Sequence, residues 1–245
     1  MKLSAPIHVL KSKAKDLKKS KSITMAEALK EVAKSEGYSS WSLLQSKAKD
    51  MFPKTSEEIL GYLNPGDLML IGSRPGLGKT TFTLQLLLQA VKEKRRCYFF
   101  SLEVTHKDVA SKVADLDENI GQNNPFLKFD FSDEISSQHI KEQTNDGLVE
   151  GSIIAVDYLQ LLDQQRTKPE LQVQVKELKE FAKKKGCIII FISQLDRSFE
   201  SKDKDRPGLE DVRLPNPVDL RLFNKTMFLH NGKKIFTSPA SFELD

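Results

Sequence analysis

The sequence of 245 residues predicts an α/β fold with a mostly parallel central sheet flanked by helices. The first observation is a series of apolar, β-rich runs, since the strands of a parallel sheet are buried on both faces. The runs cover residues 68–72, 97–102, 126–131, 153–156, 187–192 and 227–230. The second observation is that helical stretches separate these runs, as crossover helices do between parallel strands. The helical stretches cover residues 80–92, 107–114, 137–143 and 171–185.

The composition excludes several classes of protein. Apolar residues make up 39% of the chain and charged residues 29%, which is typical of a globular protein rather than a disordered one. The longest strongly apolar run, residues 187–192, is far shorter than the ~20 residues of a membrane-spanning helix, and the lysine-rich N-terminus lacks an apolar signal segment. We therefore expect a cytoplasmic protein. The two cysteines, Cys97 and Cys187, each lie beside an apolar run, which indicates buried, reduced thiols.

The N-terminal part of the chain has a different pattern from the rest. We expect a small basic helical module at residues 1–50, a linker at 51–58 and the α/β domain at 59–245. Within the module, Gly37 separates two short predicted helices. Thr24 and Glu27 have the spacing of a capping box at the start of the first of these helices.

The positive charge of the chain is concentrated in this module. Residues 1–50 contain eleven lysines and five acidic residues, whereas the rest of the chain contains 27 basic and 29 acidic residues. A basic surface of this kind can contact a nucleic-acid backbone or an anionic protein partner. A solvated, lysine-rich helix face is the simpler interpretation, and the charge alone does not distinguish the two.

The strongest motif follows the first predicted strand of the α/β domain. Gly78, Lys79 and Thr80 match the end of the phosphate-loop pattern G-x-x-x-x-G-K-[ST], and Ser73 stands where the first glycine is usual. Small residues allow backbone N–H groups to surround a phosphate, and the start of the following helix favours the same anion. The predicted nucleotide-binding residues are Ser73, Arg74, Pro75, Gly76, Leu77, Gly78, Lys79, Thr80 and Thr81. We expect Lys79 on the phosphates and the Thr80 hydroxyl on Mg²⁺.

Three further polar residues follow predicted strands. Asp157 follows residues 153–156, Glu103 follows the strand that ends at residue 102, and Gln194 follows the strand at 187–192. The carboxyl ends of parallel strands form the edge where open α/β sheets bind ligands. We expect Asp157 to bind Mg²⁺, Glu103 to polarise an attacking water and Gln194 to contact the γ-phosphate. Each residue taken singly is more often a polar side chain that ends a strand, so the prediction depends on their combination.

In order along the chain, a set of segments resembles the RecA-like ATPase core of DnaB-type replicative DNA helicases over about residues 56–230. The segments are Gly66-Asp67, residues 74–81, Ser101-Leu102-Glu103, residues 157–161, Ser193-Gln194-Leu195, Arg197-Ser198 and Asp211-Val212-Arg213. The resemblance implies a RecA-like P-loop NTPase that hydrolyses ATP with Mg²⁺ in DNA replication. It implies Glu103 as the general base and Gln194 as the γ-phosphate sensor, beside Lys79, Thr80 and Asp157. It also implies a homo-oligomeric ring with nucleotide between subunits.

The contacts with DNA and the trans-acting finger of the family are less clear in this sequence. The family's DNA-facing loops correspond to residues 163–170 and 196–211, and the second loop holds four basic and six acidic residues, an unfavourable balance for phosphates. The candidate residues for single-stranded DNA are Arg166, Lys168, Arg197, Lys202, Lys204 and Arg206. The family's Lys-x-Arg-Asn-Gly finger strand is not evident. Lys233 or Lys234 could replace it, although an ammonium is not equivalent to a guanidinium.

The sequence leaves three functional hypotheses open. The favoured one is an ATP hydrolase that acts on single-stranded DNA as an oligomer. The second is a non-translocating, ATP-gated module that binds a protein partner through its N-terminal helices. The third is a small-molecule kinase that uses the same phosphate loop. ATP turnover with and without single-stranded DNA distinguishes the first two, and a phosphorylated product identifies the third.

Overall fold

The structure, a computed structural model, describes residues 4, 7–51, 53, 55–120, 124–159, 162, 169–201, 206–214 and 216–237. The chain forms two compact units, which are described separately. The first unit comprises Met1–Pro53 and Phe236–Asp245, and the second comprises Lys54–Ile235. The segment boundaries inferred from the sequence, at residues 50 and 58, stay predictions.

Three helices make up most of the described part of the first unit. They are α1 (Ile7–Lys21), α2 (Met25–Ser35) and α3 (Trp41–Met51). The predicted capping box is confirmed, because the Thr24 hydroxyl accepts a hydrogen bond from the Glu27 N–H and the Glu27 carboxylate accepts one from the Thr24 N–H. The core of the unit is small and consists of Leu10, Ala14, Ala28, Val32, Ala33 and Leu44.

Helix α1 is absent from the sequence predictions because its apolar residues are sparse. Leu10, Ala14 and Leu17 nevertheless have the i, i+4, i+7 spacing of one helix face. Leu10 and Ala14 are buried in the core of the first unit, and Leu17 packs against it. The spacing, rather than the number of apolar residues, is therefore the signal for this helix.

The second unit contains a seven-stranded sheet with the strand order β3-β2-β4-β5-β1-β6-β7, and all but the last two residues of β7 fall within the bounds of this unit. The strands are β1 (Leu68–Ser73), β2 (Cys97–Ser101), β3 (Leu127–Asp130), β4 (Ile153–Asp157), β5 (Ile188–Gln194), β6 (Lys225–His230) and β7 (Lys233–Thr237). Strands β1 to β6 pair in parallel. The predicted α/β fold with a mostly parallel sheet is confirmed.

Strand β7 is absent from the sequence predictions, which place no element after β6. A two-residue turn at Asn231 and Gly232 joins β6 to β7, with φ angles of 48° and 69°. Asn-Gly is the typical sequence of a two-residue hairpin turn, because both central residues need positive φ. This dipeptide is the signal for the last strand.

The helices of the second unit connect and cover the strands. They are α4 (Ser56–Tyr62), α5 (Lys79–Lys92), α6 (His106–Leu116), α7 (Ser137–Thr144) and α8 (Leu171–Lys185), with short 3₁₀ turns at Arg197–Ser201, Leu209–Asp211 and Leu220–Leu222. Helix α4 begins within the segment predicted as a linker. Helix α5 packs against β1, β2, β4 and β5, whereas α8 packs against β5 and α7.

Both faces of the sheet are buried. Leu68 and Leu70 of β1 join the core cluster that includes residues of α8, such as Val175. Met69 and Ile71, which alternate with them along the strand, are also fully buried. Successive residues of a strand point to opposite faces of the sheet. Since both sets of side chains are buried, helices cover the sheet on each side. This arrangement explains why the strands are continuous apolar runs in the sequence.

Two expectations drawn from composition can be compared with the structure. Cys97 and Cys187 are free and buried, and burial raises the pKa of each thiol to about 12. The prediction that both thiols are buried is therefore confirmed, and their reduced state stays a prediction. In the part of the chain that the structure describes, no helix combines the length and the apolar character needed to cross a membrane.

Candidate functional site

The loop between β1 and α5 has the backbone of a phosphate-binding turn. Strand β1 ends at Ser73 and helix α5 begins at Lys79, so five residues join a buried strand directly to a helix N-terminus. Gly76 and Gly78 have φ angles of 77° and 81°, which residues with a side chain rarely adopt. A Cβ at either glycine would meet nothing within 4 Å. The backbone conformation, rather than a lack of space, therefore requires glycine, and the loop remains open to an approaching anion.

Strand β1 leads into this loop through two small residues. A Cβ at Gly72 would lie 2.8 Å from the Phe228 ring, so glycine is needed for β1 to pack closely beside β6. Ser73, which replaces the usual first glycine of the pattern, is fully buried. Its hydroxyl donates a hydrogen bond to the carbonyl oxygen of Arg74 at 2.9 Å. Serine is therefore accommodated here because its polar atom bonds the loop itself.

Lys79 is held over the loop at the start of α5. Its side chain is largely buried, and Nζ donates to the carbonyl oxygen of Arg74 at 3.4 Å. Burial lowers the pKa of Lys79, and the charge of Arg74 lowers it further, whereas the carboxylates of Glu103 and Asp157 raise it. A desolvated ammonium beside an open loop is stabilised by an incoming anion, because a charge-assisted hydrogen bond replaces a weaker one to a carbonyl.

Thr80 and Asp157, the two predicted metal ligands, are in direct contact. The Thr80 Oγ1 donates to Asp157 Oδ2 at 2.7 Å, although the residues are 77 positions apart in sequence. Asp157 is fully buried at the end of β4, and burial raises its pKa to about 6. The Glu103 charge also raises this pKa, whereas the Thr80 hydrogen bond and the Lys79 charge lower it.

The contacts of Asp157 fit a small divalent cation. Its second oxygen, Oδ1, is buried and has no hydrogen-bond partner among the described residues. A buried carboxylate oxygen without a donor is costly, and a cation would satisfy it. A hydroxyl and a carboxylate are the oxygen ligands that Mg²⁺ uses together with phosphate oxygens and water.

The side chains of Glu103 and Gln194 contact each other beside the end of β4, the strand that carries Asp157. Gln194 Nε2 donates to Glu103 Oε1 at 3.3 Å, although the two residues are 91 positions apart in sequence. Strand β4 lies between β2 and β5, so these side chains follow the two strands that flank Asp157. The Glu103 N–H donates to the hydroxyl of Ser101 at 3.2 Å. Ser101, at the end of β2, thus contacts the backbone of Glu103, a contact that the sequence analysis does not predict although it names Ser101.

Four of the predicted nucleotide-binding residues line an open cavity of about 440 Å³ beside the loop. Gly76, Leu77, Gly78 and Thr81 line one side of it, and the β6–β7 turn lines the other. Its lining residues also include Phe82, Gln85, Leu229, His230, Lys233 and Lys234. The contribution of this turn to the cavity is absent from the sequence predictions, because they do not include β7. Of the other loop residues, Pro75 is exposed, and Arg74 Nη1 donates to the carbonyl oxygen of Leu195 at 3.3 Å.

The candidate DNA-binding residues are mostly outside the described part of the structure. Arg166, Lys168, Lys202 and Lys204 lie outside the described residues. Arg197, at the start of a 3₁₀ turn, and Arg206 are described, and both are exposed. The structure therefore brings together the phosphate-loop and strand-end residues, whereas the DNA-binding candidates stay predictions.

Comparisons with known proteins identify relatives of the second unit. The model of the protein family described as DnaB-like helicase C-terminal domain matches residues 52–146 and 127–219. The replicative DNA helicase DnaB of Helicobacter pylori strain J99 is 28% identical over 196 residues, which is 65% of this chain and 40% of that protein. A probable replicative DNA helicase of Trieres chinensis is 26% identical over 235 residues, which is 77% of this chain and 52% of that protein. The chain thus spans about half, or less, of the length of these relatives.

Solved structures support the fold. A DnaB-like replicative helicase, whose structure was described with its interactions with primase, superposes with a TM-score of 0.56 at 22% identity. The match covers 67% of this chain and 48% of that one. A second solved structure, described as an ATPase domain, has a TM-score of 0.54 at 21% identity, covering 69% of this chain and 71% of that one. The predicted RecA-like architecture of the second unit is therefore confirmed.

Proposed function

We propose that this chain, which belongs to the family of DnaB-like helicase C-terminal domains, binds Mg-ATP between β1 and α5 and hydrolyses it. The observation that carries the proposal is the hydrogen bond of 2.7 Å from Thr80 to Asp157, next to a largely buried Lys79. These three side chains come from two distant segments and meet at one end of the sheet, where α/β proteins bind ligands.

The loop and the start of α5 would bind the phosphates. Gly76 and Gly78 leave the backbone accessible, and the N-terminus of the 14-residue helix α5 favours negative charge. Lys79 would exchange its carbonyl partner for phosphate oxygens. The cavity of about 440 Å³ beside Thr81 and Phe82 has room for the nucleoside end.

The hydroxyl of Thr80 and the carboxylate of Asp157 would hold Mg²⁺. The unpaired Oδ1 of Asp157 is the atom that supports this assignment. When bound, Mg²⁺ neutralises charge on the β- and γ-phosphate oxygens. Asp157 must be ionised for this role, so protonation near its raised pKa of about 6 competes with the metal.

Glu103 would accept the proton of the attacking water. Its carboxylate is exposed, and Gln194 donates to it at 3.3 Å, which restrains its orientation. The backbone N–H of Glu103 is held by the Ser101 hydroxyl at 3.2 Å, so the end of β2 is anchored as well. A positioned carboxylate and a neutral amide together can orient a water and remove its proton.

Single-stranded DNA is the proposed effector, and a cytoplasmic homo-oligomer is the proposed form. The named relatives are replicative DNA helicases, which supports DNA as the polymer on which this ATPase acts. Arg197 and Arg206 are exposed and available for phosphates. Lys233 and Lys234 line the cavity beside the loop of their own chain. In this proposal, Lys233 or Lys234 of a neighbouring subunit replaces the family's trans-acting finger. Because an arginine finger contributes roughly 10³–10⁵ to turnover, we expect slow hydrolysis.

ATP turnover by the purified chain, with and without single-stranded DNA at fixed salt, tests this proposal. We expect DNA to stimulate hydrolysis, and Glu103→Gln to reduce turnover by about 10²–10⁴-fold while ATP binding is retained. Glu118→Gln, which removes another exposed carboxylate, is the matched control and should behave as the wild type.

Other outcomes favour the alternatives. Turnover that DNA does not change, together with ATP-dependent capture of a protein, would support the gated binding module. A phosphorylated small-molecule product would support the kinase. A chain that binds no nucleoside triphosphate in magnesium buffer would contradict all three.

A further inference from the structure

Helix α1 carries a row of exposed lysines on one of its faces. Lys11, Lys15, Lys18 and Lys19 are spaced i, i+4, i+7 and i+8, which places their side chains side by side on an α-helix. All four are exposed. None has an ion-pair or hydrogen-bond partner in the described part of the chain. We refer to these four residues as the lysine stripe.

The core of the first unit holds the lysine stripe in place. Leu10 and Ala14, on an adjacent face of α1, are buried against α2 and α3 residues such as Val32 and Leu44. This packing fixes the rotation of the helix, so the four charges are presented in one direction. Since α1 rises about 1.5 Å per residue, the stripe extends over ~12 Å.

The positive charge at the end of α1 is neutralised by an ion pair, whereas the charges of the lysine stripe are not neutralised in this way among the described residues. Lys21, at the last position of α1, pairs with Glu31 of α2 at 2.7 Å. The acidic residue of α1 itself is Asp16, so the stripe has four positive charges beside one negative charge. The stripe lines an open cavity of about 690 Å³ together with Ser12, Asp16 and Met25. A concave surface on which positive charges outnumber negative ones by four to one has a positive electrostatic potential.

We propose that the lysine stripe binds the phosphodiester backbone of a nucleic-acid strand. Ammonium groups on flexible stems bind phosphates as point charges, and such contacts carry no sequence information. Protein interfaces, by contrast, are depleted in lysine and enriched in aromatic residues. The stripe contains no aromatic residue, and Tyr38 and Trp41 of the same unit pack against its core instead. These observations favour a nucleic acid over an acidic protein.

This inference goes beyond the proposed ATPase. The residues implied there for DNA lie in loops of the second unit, whereas the lysine stripe belongs to the first. Binding by the stripe requires neither ATP nor hydrolysis. It would give the chain an anchor on nucleic acid that is independent of its nucleotide state.

The test is the affinity of the full chain for a fluorescent single-stranded oligonucleotide, measured by anisotropy over a range of salt without nucleotide. One variant carries Lys11→Ala, Lys15→Ala, Lys18→Ala and Lys19→Ala. We expect it to bind at least about tenfold more weakly at low salt. Each phosphate contact contributes about 0.7 to the slope of log affinity against log salt, so the slope should fall by about 3. Two oligonucleotides of different sequence should be affected equally.

A matched control changes the same net charge elsewhere on the first unit. It carries Lys13→Ala, Lys30→Ala, Lys34→Ala and Lys47→Ala, all at exposed lysines outside the stripe. We expect the control to lose less than about threefold in affinity and to keep the salt slope. A second variant, with arginine at the four stripe positions, keeps the charge and should bind as the wild type does. Circular dichroism verifies that each variant remains folded.

Several outcomes would overturn the proposal. Equal losses in the stripe and control variants would mean that net charge alone attracts the oligonucleotide. Competition by polyglutamate as effective as that by unlabelled DNA would assign the stripe to an acidic protein. Nucleotide binding, measured in the same samples, should be unaffected by the stripe variant. A chain that binds DNA through the stripe but binds no ATP would contradict the proposed ATPase and leave this inference intact.

Discussion

The two units of the chain differ in how much apolar surface they bury. In the second unit, strands such as β1 and β4 are buried on both faces, and their side chains have no exposed area. Among the described residues of the first unit, the core consists of six, three of which are alanines. A large core holds side chains at defined positions, whereas a small one mainly maintains the orientation of its helices. We therefore expect chemistry that requires precisely positioned side chains to take place in the second unit.

The two units also differ in the exposure of their charged side chains to solvent. Lys79 and Asp157 of the second unit are buried, and their electrostatic interaction with each other is strengthened because water is excluded. The lysines of α1 are exposed, so water and salt screen them. In the proposals above, the second unit binds its ligand through a few precisely placed charges, whereas the first unit binds through many screened ones.

Among the changes that compare the two units, the largest effect is expected from Lys79→Ala. The change removes the buried ammonium that faces the loop, and we expect ATP turnover to fall on the order of 10²–10³-fold. The fold should persist, because alanine is a good helix former and a desolvated charge is removed. Lys92→Ala, at the other end of α5, is the control; its side chain pairs with Asp117 at 2.7 Å on the surface. Wild-type turnover in Lys79→Ala would show that this charge does not serve phosphate binding.

An intermediate effect is expected from Asp157→Asn, and it depends on pH. The folded-state pKa of about 6 lies above the ~3.9 of an unfolded aspartate, so the folded protein holds this proton more tightly. The stability of the wild type therefore falls as pH rises from about 4 to about 6, and this contribution is constant above that range. The variant has no such charge and should be more stable by up to about 3 kcal/mol above pH 6, and equal near pH 4.

Urea unfolding without metal, at several pH values, measures this difference. Asp115→Asn, at an exposed position of α6, is the control and should show no pH-dependent gain. Asp157→Asn should also lose the increase in ATP affinity that Mg²⁺ produces in the wild type. An advantage of the variant that is the same at all pH values would contradict the assigned pKa.

The smallest effect is expected from removing the same capping contact in each unit. The hydroxyls of Thr24 and Thr105 each accept a hydrogen bond of 3.2 Å from the N–H of an acidic residue three positions later. Thr24→Ala and Thr105→Ala should each lose about 1 kcal/mol. Because the first unit has the smaller core, Thr24→Ala should lower amide protection across α1, α2 and α3, as measured by hydrogen exchange. Reduced protection of the sheet in Thr24→Ala would show that the two units unfold together.

Local signals in the sequence predict much of the fold. The apolar runs identify six of the seven strands, since a strand buried on both faces needs apolar residues throughout. Three elements, α1, α4 and β7, are absent from the predictions. Each has a local signal of its own, such as the Thr55–Glu58 capping box before α4 and the Asn231-Gly232 turn before β7. Helix α4 and strand β7 are short, so little periodicity can develop in them. Helix α1 has 15 residues, but few of them are apolar.

Interactions between neighbouring residues are enough to specify the phosphate loop. The loop from Ser73 to Thr80 needs left-handed backbone at Gly76 and Gly78, and glycine provides it wherever the loop is placed. Gly78-Lys79-Thr80 likewise specifies a lysine and a hydroxyl at the start of a helix. These constraints act over a few bonds and can be inferred without a fold.

Which side chains meet at the site depends on how the strands assemble. The strand order places β4 between β2 and β5 and β1 beside β5, and no local pattern encodes that order. Through it, Thr80 reaches Asp157 across 77 residues, and Gln194 reaches Glu103 across 91. The unpaired oxygen of Asp157 and its raised pKa also arise from burial in the assembled sheet. Such properties depend on distance and desolvation, which exist only once the chain has packed.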